Sequence, residues 1–142
     1  MVRILNSSIK FKKEIIIVYD SENDNTIEVA KDLASEFENV KVVHNKLSKG
    51  VRFAVDSGVA NAKFDTVLIT AVDEIFPIIA VDQMISHMIE NNLDFISGTR
   101  YSKGGLRLGG SFMGSIFSRI ANKLFKLITN IPFSDCTTGI KM

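Results

Sequence analysis

Three places in this 142-residue chain put charged or polar groups where an apolar run stops. Asp20 follows the run Glu14–Tyr19. Asp73 and Glu74 follow Asp65–Ala71, and Arg100 and Tyr101 follow Leu93–Gly98. Carboxylates gathered at one rim invite a divalent cation with oxygen ligands. An arginine beside them invites a phosphate, because metal and guanidinium neutralise the same kind of oxygen. Together they read as a site for a diphosphate. A plainer reading competes with it, since acids after a strand often serve as turn formers and helix caps.

Other chemistries find less support. No Walker loop, Gly-x-Gly-x-x-Gly turn or zinc-ligand spacing is present. His44 and His87 are far apart and lack cysteine partners, so both read as ordinary histidines. No Gly-x-Ser-x-Gly elbow supports a serine nucleophile. The lone Cys136 cannot form an internal disulfide; it reads as a small structural residue and suits a reducing compartment.

The elements that must position these groups alternate. Glu14–Tyr19 is a β-rich apolar run ending in the turn formers Asp20–Asn23, as in a strand buried on both faces. Asp24 suits the cap of a helix over Asn25–Phe37, with Ile27, Ala30, Leu33, Ala34 and Phe37 at helical spacing. Val40–Val43 is a short strand. Ser48–Ala62 is helical, and Gly50, Ala54, Gly58 and Ala62 form a small-residue stripe that could lie close to a sheet. Asp65–Ala71 is a third strand, and Pro77 opens a helix reaching Glu90 or Asn91. Leu93–Gly98 is a fourth strand. Ser111–Thr129 is a long amphipathic helix, with Phe112, Ile116, Ile120, Leu124 and Ile128 on one side and Arg119, Asn122, Lys123 and Lys126 on the other. Ile131–Asp135 is a loop, and Thr138–Met142 a last short strand. This order predicts an α/β/α sandwich with a mostly parallel sheet, whose ligands sit beyond the carboxyl ends of the strands.

Composition agrees with an ordinary globular chain: 46% hydrophobic, 23% charged and net charge +1. So balanced a charge argues against bulk binding of nucleic acid. The balance is local, however. Arg100–Ser134 holds six Lys or Arg and no Asp or Glu, so an anionic partner would meet the C-terminal third. No uninterrupted apolar run is long enough for a membrane span, and the first residues lack a signal-peptide pattern.

The motifs EIIIVYDSENDNT, SKG, LITAVDEIFP, GTRYSKGG, FSRIANKLFKLI and SDCTTGIKM, in that order, resemble family 2 glycosyltransferases. The polyprenyl-phosphate (dolichyl-phosphate) mannose or glucose synthases are the most similar group. The resemblance spans residues 13–142. It implies a GT-A fold, an NDP-sugar donor such as GDP-mannose or UDP-glucose, a polyprenyl phosphate acceptor, and Mg²⁺ or Mn²⁺ on the diphosphate. By position, Asp20, Lys49 and Gly50 would hold the nucleotide, while Asp24 caps a helix. Asp73 would be a metal ligand, with Glu74 beside it. Arg100 and Tyr101 would face the phosphates, Arg119 would lie near the acceptor, and Lys141 would be the basic residue of the last motif. Ser102–Gly110 would form a lid hinged at its glycines, and the amphipathic basic helix would suit either a membrane surface or a place on the sheet. The chain would be cytoplasmic, with a peripheral place on the cytoplasmic face of a membrane.

Departures from the family pattern set further expectations. No opening strand precedes Glu14, Ala71 stands where the first acid of Asp-x-Asp would be, and small residues around Gly114 and Ser115 replace a basic one. The chain also ends at Met142, before the family's C-terminal segments. Residues 1–142 therefore read as one partial GT-A domain, or as an inactive nucleotide-sugar-binding module or split-gene fragment. A missing strand would leave sheet edges for a second copy or a complementing chain to pair with.

Overall fold

A computed structural model describes residues 1–73, 75–102, 105, 111–131, 133–136 and 138–142. The chain divides into two compact units, Met1–Val67 and Leu68–Met142.

The first unit is built on two parallel strands, β1 (Ile15–Tyr19) and β2 (Val40–His44), paired from Ile15↔Val40 to Tyr19↔His44. The run of isoleucines in β1 forms the expected strand, yet all five residues are only half-buried, so neither face is fully covered. Helix α2 (Ile27–Glu36) crosses over between the strands and buries Ile27 and Ala30. Helix α3 (Val51–Ala60) packs against β1. The small-residue stripe predicts this approach: a Cβ on Gly58 would lie 3.4 Å from Val18 Cγ2. The N-terminal residues, for which the sequence suggested no element, form helix α1 (Val2–Ser8) and do not add a strand to the sheet. Val2, Leu5 and Ile9 are buried, and Arg3 meets Glu36 across two hydrogen bonds, one of 2.6 Å.

The second unit departs further from expectation. A 3₁₀ turn (Phe76–Ala80) containing Pro77 leads into α4 (Val81–Glu90). Ile78 and Val81 anchor this turn in the core. The three expected strands over Asp65–Ala71, Leu93–Gly98 and Thr138–Met142 shrink to isolated antiparallel bridges, with Lys141 paired to both Ile69 and Ser97. The Ile69 N–H donates to the Lys141 carbonyl at 2.7 Å, and the Ile96 and Met142 amides exchange bonds of 2.8 and 2.9 Å. Both bridges draw on the same three residues, Ile140–Met142, so the ladder is no longer than that segment. Ile140 and Met142 are buried between their neighbours.

Gly98 is where this ladder closes most tightly. A Cβ there would lie 2.6 Å from Ile140 Cγ2, on a side chain only 2% exposed. Gly98→Ala is therefore expected to destabilise the protein by about 1–3 kcal/mol through overpacking. A lowered urea midpoint with unchanged slope checks it.

Helix α5 (Phe112–Thr129) matches the predicted span. Ser111 caps it, accepting from the Gly114 N–H at 3.0 Å, and Asn130 ends it in the left-handed region at φ +55°. Its burial runs opposite to its hydropathy. Phe112 and Ile128 are 80% and 81% exposed, and Met113, Phe117, Ile120, Leu124 and Leu127 are exposed as well. The buried residue is Asn122.

Candidate functional site

In the first unit the site residues gather where β1 and β2 end. The Asp20 carboxylate accepts from Asn45 Nδ2 at 2.7 Å and from the Gly50 N–H at 2.8 Å. Asn45 is buried and also donates to the Ser48 carbonyl at 2.5 Å. Asp20 thus fastens the end of β1 to the loop that opens α3. Gly50 has φ +117° and ψ 158°, a conformation essentially confined to glycine, which explains the glycine of SKG. Lys49 is exposed beside it. Tyr19 and His44 stack at the same strand ends, with centroids 4.9 Å apart. Asp24 is not the cap of α2: the N-cap is Thr26, without a side-chain bond, and Asp24 forms a turn before it, accepting from the Thr26 N–H and hydroxyl at 2.9 and 2.6 Å.

The Asn45 amide, and then the Gly50 N–H, hold the Asp20 carboxyl below its ordinary value. A depressed folded-state pKa means the carboxylate's contribution is present above the unfolded value and is lost as pH falls through the folded one. The Gly50 amide resonance should therefore titrate below the usual carboxylate range, and that step should vanish in Asp20→Ala. A Gly50 shift that ignores Asp20 would remove the clamp from the account.

In the second unit Arg100 meets a residue that its sequence neighbourhood does not announce. Its Nε donates to Asp135 Oδ2 at 2.7 Å and its Nη2 to Oδ1 at 2.9 Å, while its backbone N–H reaches Oδ2 at 3.2 Å. Asp135 is 1% exposed. Asn122 completes the cluster: its Nδ2 lies 3.4 Å from Asp135 Oδ1, and its Oδ1 accepts from the Cys136 N–H at 2.6 Å. This polar knot docks α5 by its polar side. Asn122→Ala should cost about 2 kcal/mol, because it strips partners from buried groups. Thermal unfolding checks that value.

Tyr101 lies next to this knot. The guanidinium carbons of Arg100 and Arg119 each stand 5.2 Å from its ring centroid. The Tyr101 hydroxyl is buried without a hydrogen-bond partner among the described residues. Gly105 comes close to Arg100: a Cβ there would lie 2.7 Å from the Arg100 carbonyl carbon. Its place in GTRYSKGG reflects that approach. Of the expected lid, only Ser102 and Gly105 fall within the described residues.

Asp73 is exposed, and its carboxylate makes no hydrogen bond or ion pair with a described residue. Glu74 lies outside the described residues. Lys141 contributes its backbone to the ladder and turns its ammonium onto the Thr138 carbonyl. No group of three or more His, Cys, Asp or Glu among the described residues could hold a metal ion.

Comparison with known proteins decides the family. The glycosyl transferase family 2 model matches residues 1–142. The chain belongs to this family. The match includes α1, which the sequence motifs do not reach. A similar protein is the dolichol-phosphate mannosyltransferase of Pyrococcus furiosus, 34% identical over 103 residues. That stretch covers 72% of this chain and 29% of the Pyrococcus protein.

For a family 2 glycosyltransferase chain, the described residues give a mixed α/β fold with five α-helices and one parallel strand pair. Asp20 and Gly50 come together in the first unit, with Lys49 beside Gly50. Arg100, Tyr101 and Arg119 come together in the second. Asp73 takes part in neither set of contacts. The residues that sequence reasoning missed are Asn45, Asn122 and Asp135. For Asp135 a signal existed, since it ends the acid-free stretch that begins at Arg100. A half-buried arginine needs a counter-charge, and Asp135 is the first acid that follows it.

Proposed function

We propose that residues 1–142 form part of a glycosyltransferase domain that moves a hexose from an NDP-sugar to a polyprenyl phosphate. The observation that carries this reading is the exposed carboxylate of Asp73, without a partner among the described residues and just beyond the Ile69 bridge, in a family 2 chain. One carboxylate suits Mg²⁺ or Mn²⁺, because such ions commonly take one or two protein ligands and complete their shell with substrate phosphates and water. Asp73, with Glu74 beside it in sequence, would hold the ion. When bound, the ion would neutralise charge building on the leaving diphosphate.

The protein's own residues would do the rest. Asp20 shapes the turn at Lys49 and Gly50, where the nucleotide would lie. Asp135 sets the plane of Arg100, which would bring positive charge to the phosphates. Tyr101 and Arg119 stand beside it, and Lys141 would serve as a further basic group. In the reaction an acceptor phosphate oxygen bonds to the anomeric carbon as the bond to the nucleoside diphosphate breaks. A phosphate is already ionised near neutral pH, so the step needs no strong general base.

A lipid acceptor requires work at a membrane surface. No described helix is long and apolar enough to cross a membrane. The exposed apolar side of α5 would instead lie in the interface, on the cytoplasmic face. The test is transfer of labelled hexose from GDP-mannose or UDP-glucose to polyprenyl phosphate in vesicles, with Mn²⁺. Labelled lipid supports the reading. Donor binding without lipid labelling would reduce the chain to a nucleotide-sugar-binding module.

A further inference from the structure

Helix α5 leaves Phe112, Phe117, Ile120, Leu124 and Leu127 exposed, yet its buried residue is an amide, Asn122. A leucine buried there would gain free energy with no partner to find, whereas a buried amide costs free energy until its groups are bonded. Packing alone therefore gives no reason for the asparagine. Its hydrogen bonds supply one.

The Cys136 N–H donates to Asn122 Oδ1 at 2.6 Å, and that bond fixes which end of the amide faces the backbone. Asn122 Nδ2 is thereby turned to the Ser118 carbonyl at 2.8 Å and to Asp135 Oδ1 at 3.4 Å. An amide can offer a donor to a carboxylate and an acceptor to an N–H from one short side chain. Leucine offers neither, and an ionised aspartate offers no donor. Asn122 thus holds Asp135 both through its carboxylate and through the peptide that follows it. Asp135 in turn holds Arg100 through Nε, Nη2 and the backbone N–H. The fork engages both carboxylate oxygens, so the plane of the guanidinium follows the plane of the carboxylate. Asp135 is 1% exposed and Asn122 5%, so this chain of bonds runs through the interior of the second unit. A buried network of that kind acts on geometry more than on net stability.

We propose that Asn122 is a positioning residue, acting through Asp135 to fix the direction in which Arg100 presents its charge. Its part in the reaction rests on the reading above, in which Arg100 meets the phosphates.

The test reads Arg100 itself. Exchange of its Nε–H with water is followed by NMR in the 142-residue chain, in Asn122→Ala, in Asn122→Leu and in Val81→Ala. Asn122→Leu fills the volume without the bonds. Val81, buried on α4, is the control for stability lost elsewhere in the same unit. Exchange should quicken about tenfold in both Asn122 variants, as local opening does when a bond to a charged group is lost. Well below its melting transition, Val81→Ala should keep the parent rate. Equal quickening in Val81→Ala, or the parent rate in Asn122→Leu, would overturn the proposal and leave the asparagine a packing residue. In transfer of hexose to polyprenyl phosphate, kcat should fall about tenfold in both Asn122 variants, because a misaligned group forfeits rate, and should hold in Val81→Ala. An unchanged kcat in the Asn122 variants would also overturn the positioning part. A parent chain that transfers no hexose would sink the transferase reading alone, since exchange at Arg100 decides how the guanidinium is held without turnover.

Discussion

Arg100→Ala is expected to cost about 3 kcal/mol of folding stability, more than a hundredfold in the folding equilibrium. Removing the guanidinium leaves the carboxylate of Asp135, with no exposed side-chain surface, as a charge in the interior. Such losses run to about 3–5 kcal/mol, and the lower end applies because the Arg100 side chain is 28% exposed. The bidentate geometry supplies a second signature. Arg100→Lys keeps the charge but loses the fork, so it should recover only part of the loss. The cost should also fall when the Asp135 charge is removed together with the guanidinium. Arg100→Met with Asp135→Asn should be more stable than Arg100→Met alone, and denaturant midpoints in a double-mutant cycle would show it. If Arg100→Ala were as stable as the parent, the arginine would be a ligand group with no structural part.

Much of the backbone could be read from local pattern. The Ile-rich run ending at Tyr19 could hardly be anything but a strand, and Ser111 with Asn130 bracket α5 almost to the residue. Patterns of this kind report a segment's own preferences and not its neighbours. The periodicity of α5 correctly found an apolar side and a basic side, yet could not say which side docks. Asn122, which looks like a surface residue, makes the buried contact, while Phe112 and Ile128 stay exposed. The C-terminal segment failed for a similar reason. Its partners, Ile69 and Ser97, are distant in sequence, and three residues are too few to show alternation.

The site divides along the same line. Asp20 was legible as a strand-end acid, and Gly50 as part of a turn motif. Their mutual bond required the chain to fold back over 30 residues. Arg100 could be seen as a charge emerging from an apolar run, but its partner is 35 residues away. Within each unit the structure gives one set of contacts, Asp20 with Asn45 and Gly50 in the first and Arg100 with Asp135 in the second, and the Asp73 carboxylate makes no bond with a described residue. The clusters are largely satisfied by their own hydrogen bonds. Among the described acids that the sequence names for the site, Asp73 is the one without a described partner, so the proposed function turns on it.

Asp73→Ala should accordingly give the largest functional effect. If the carboxylate holds the ion as proposed, loss of that one group should weaken metal-dependent donor binding by about tenfold to a hundredfold. Stability should barely change, because the side chain is exposed and bonds to no described residue. Asp73→Asn keeps the shape, removes the charge and should fail nearly as badly. The decisive measurement is calorimetric titration of GDP-mannose and UDP-glucose into the parent chain and Asp73→Ala, each with Mn²⁺ and with chelator. The account predicts that one donor binds the parent chain with Mn²⁺, that chelator abolishes this binding, and that Asp73→Ala weakens it by about tenfold to a hundredfold. Donor binding that ignores both the metal and Asp73, or no binding of either donor by the parent chain, would contradict it.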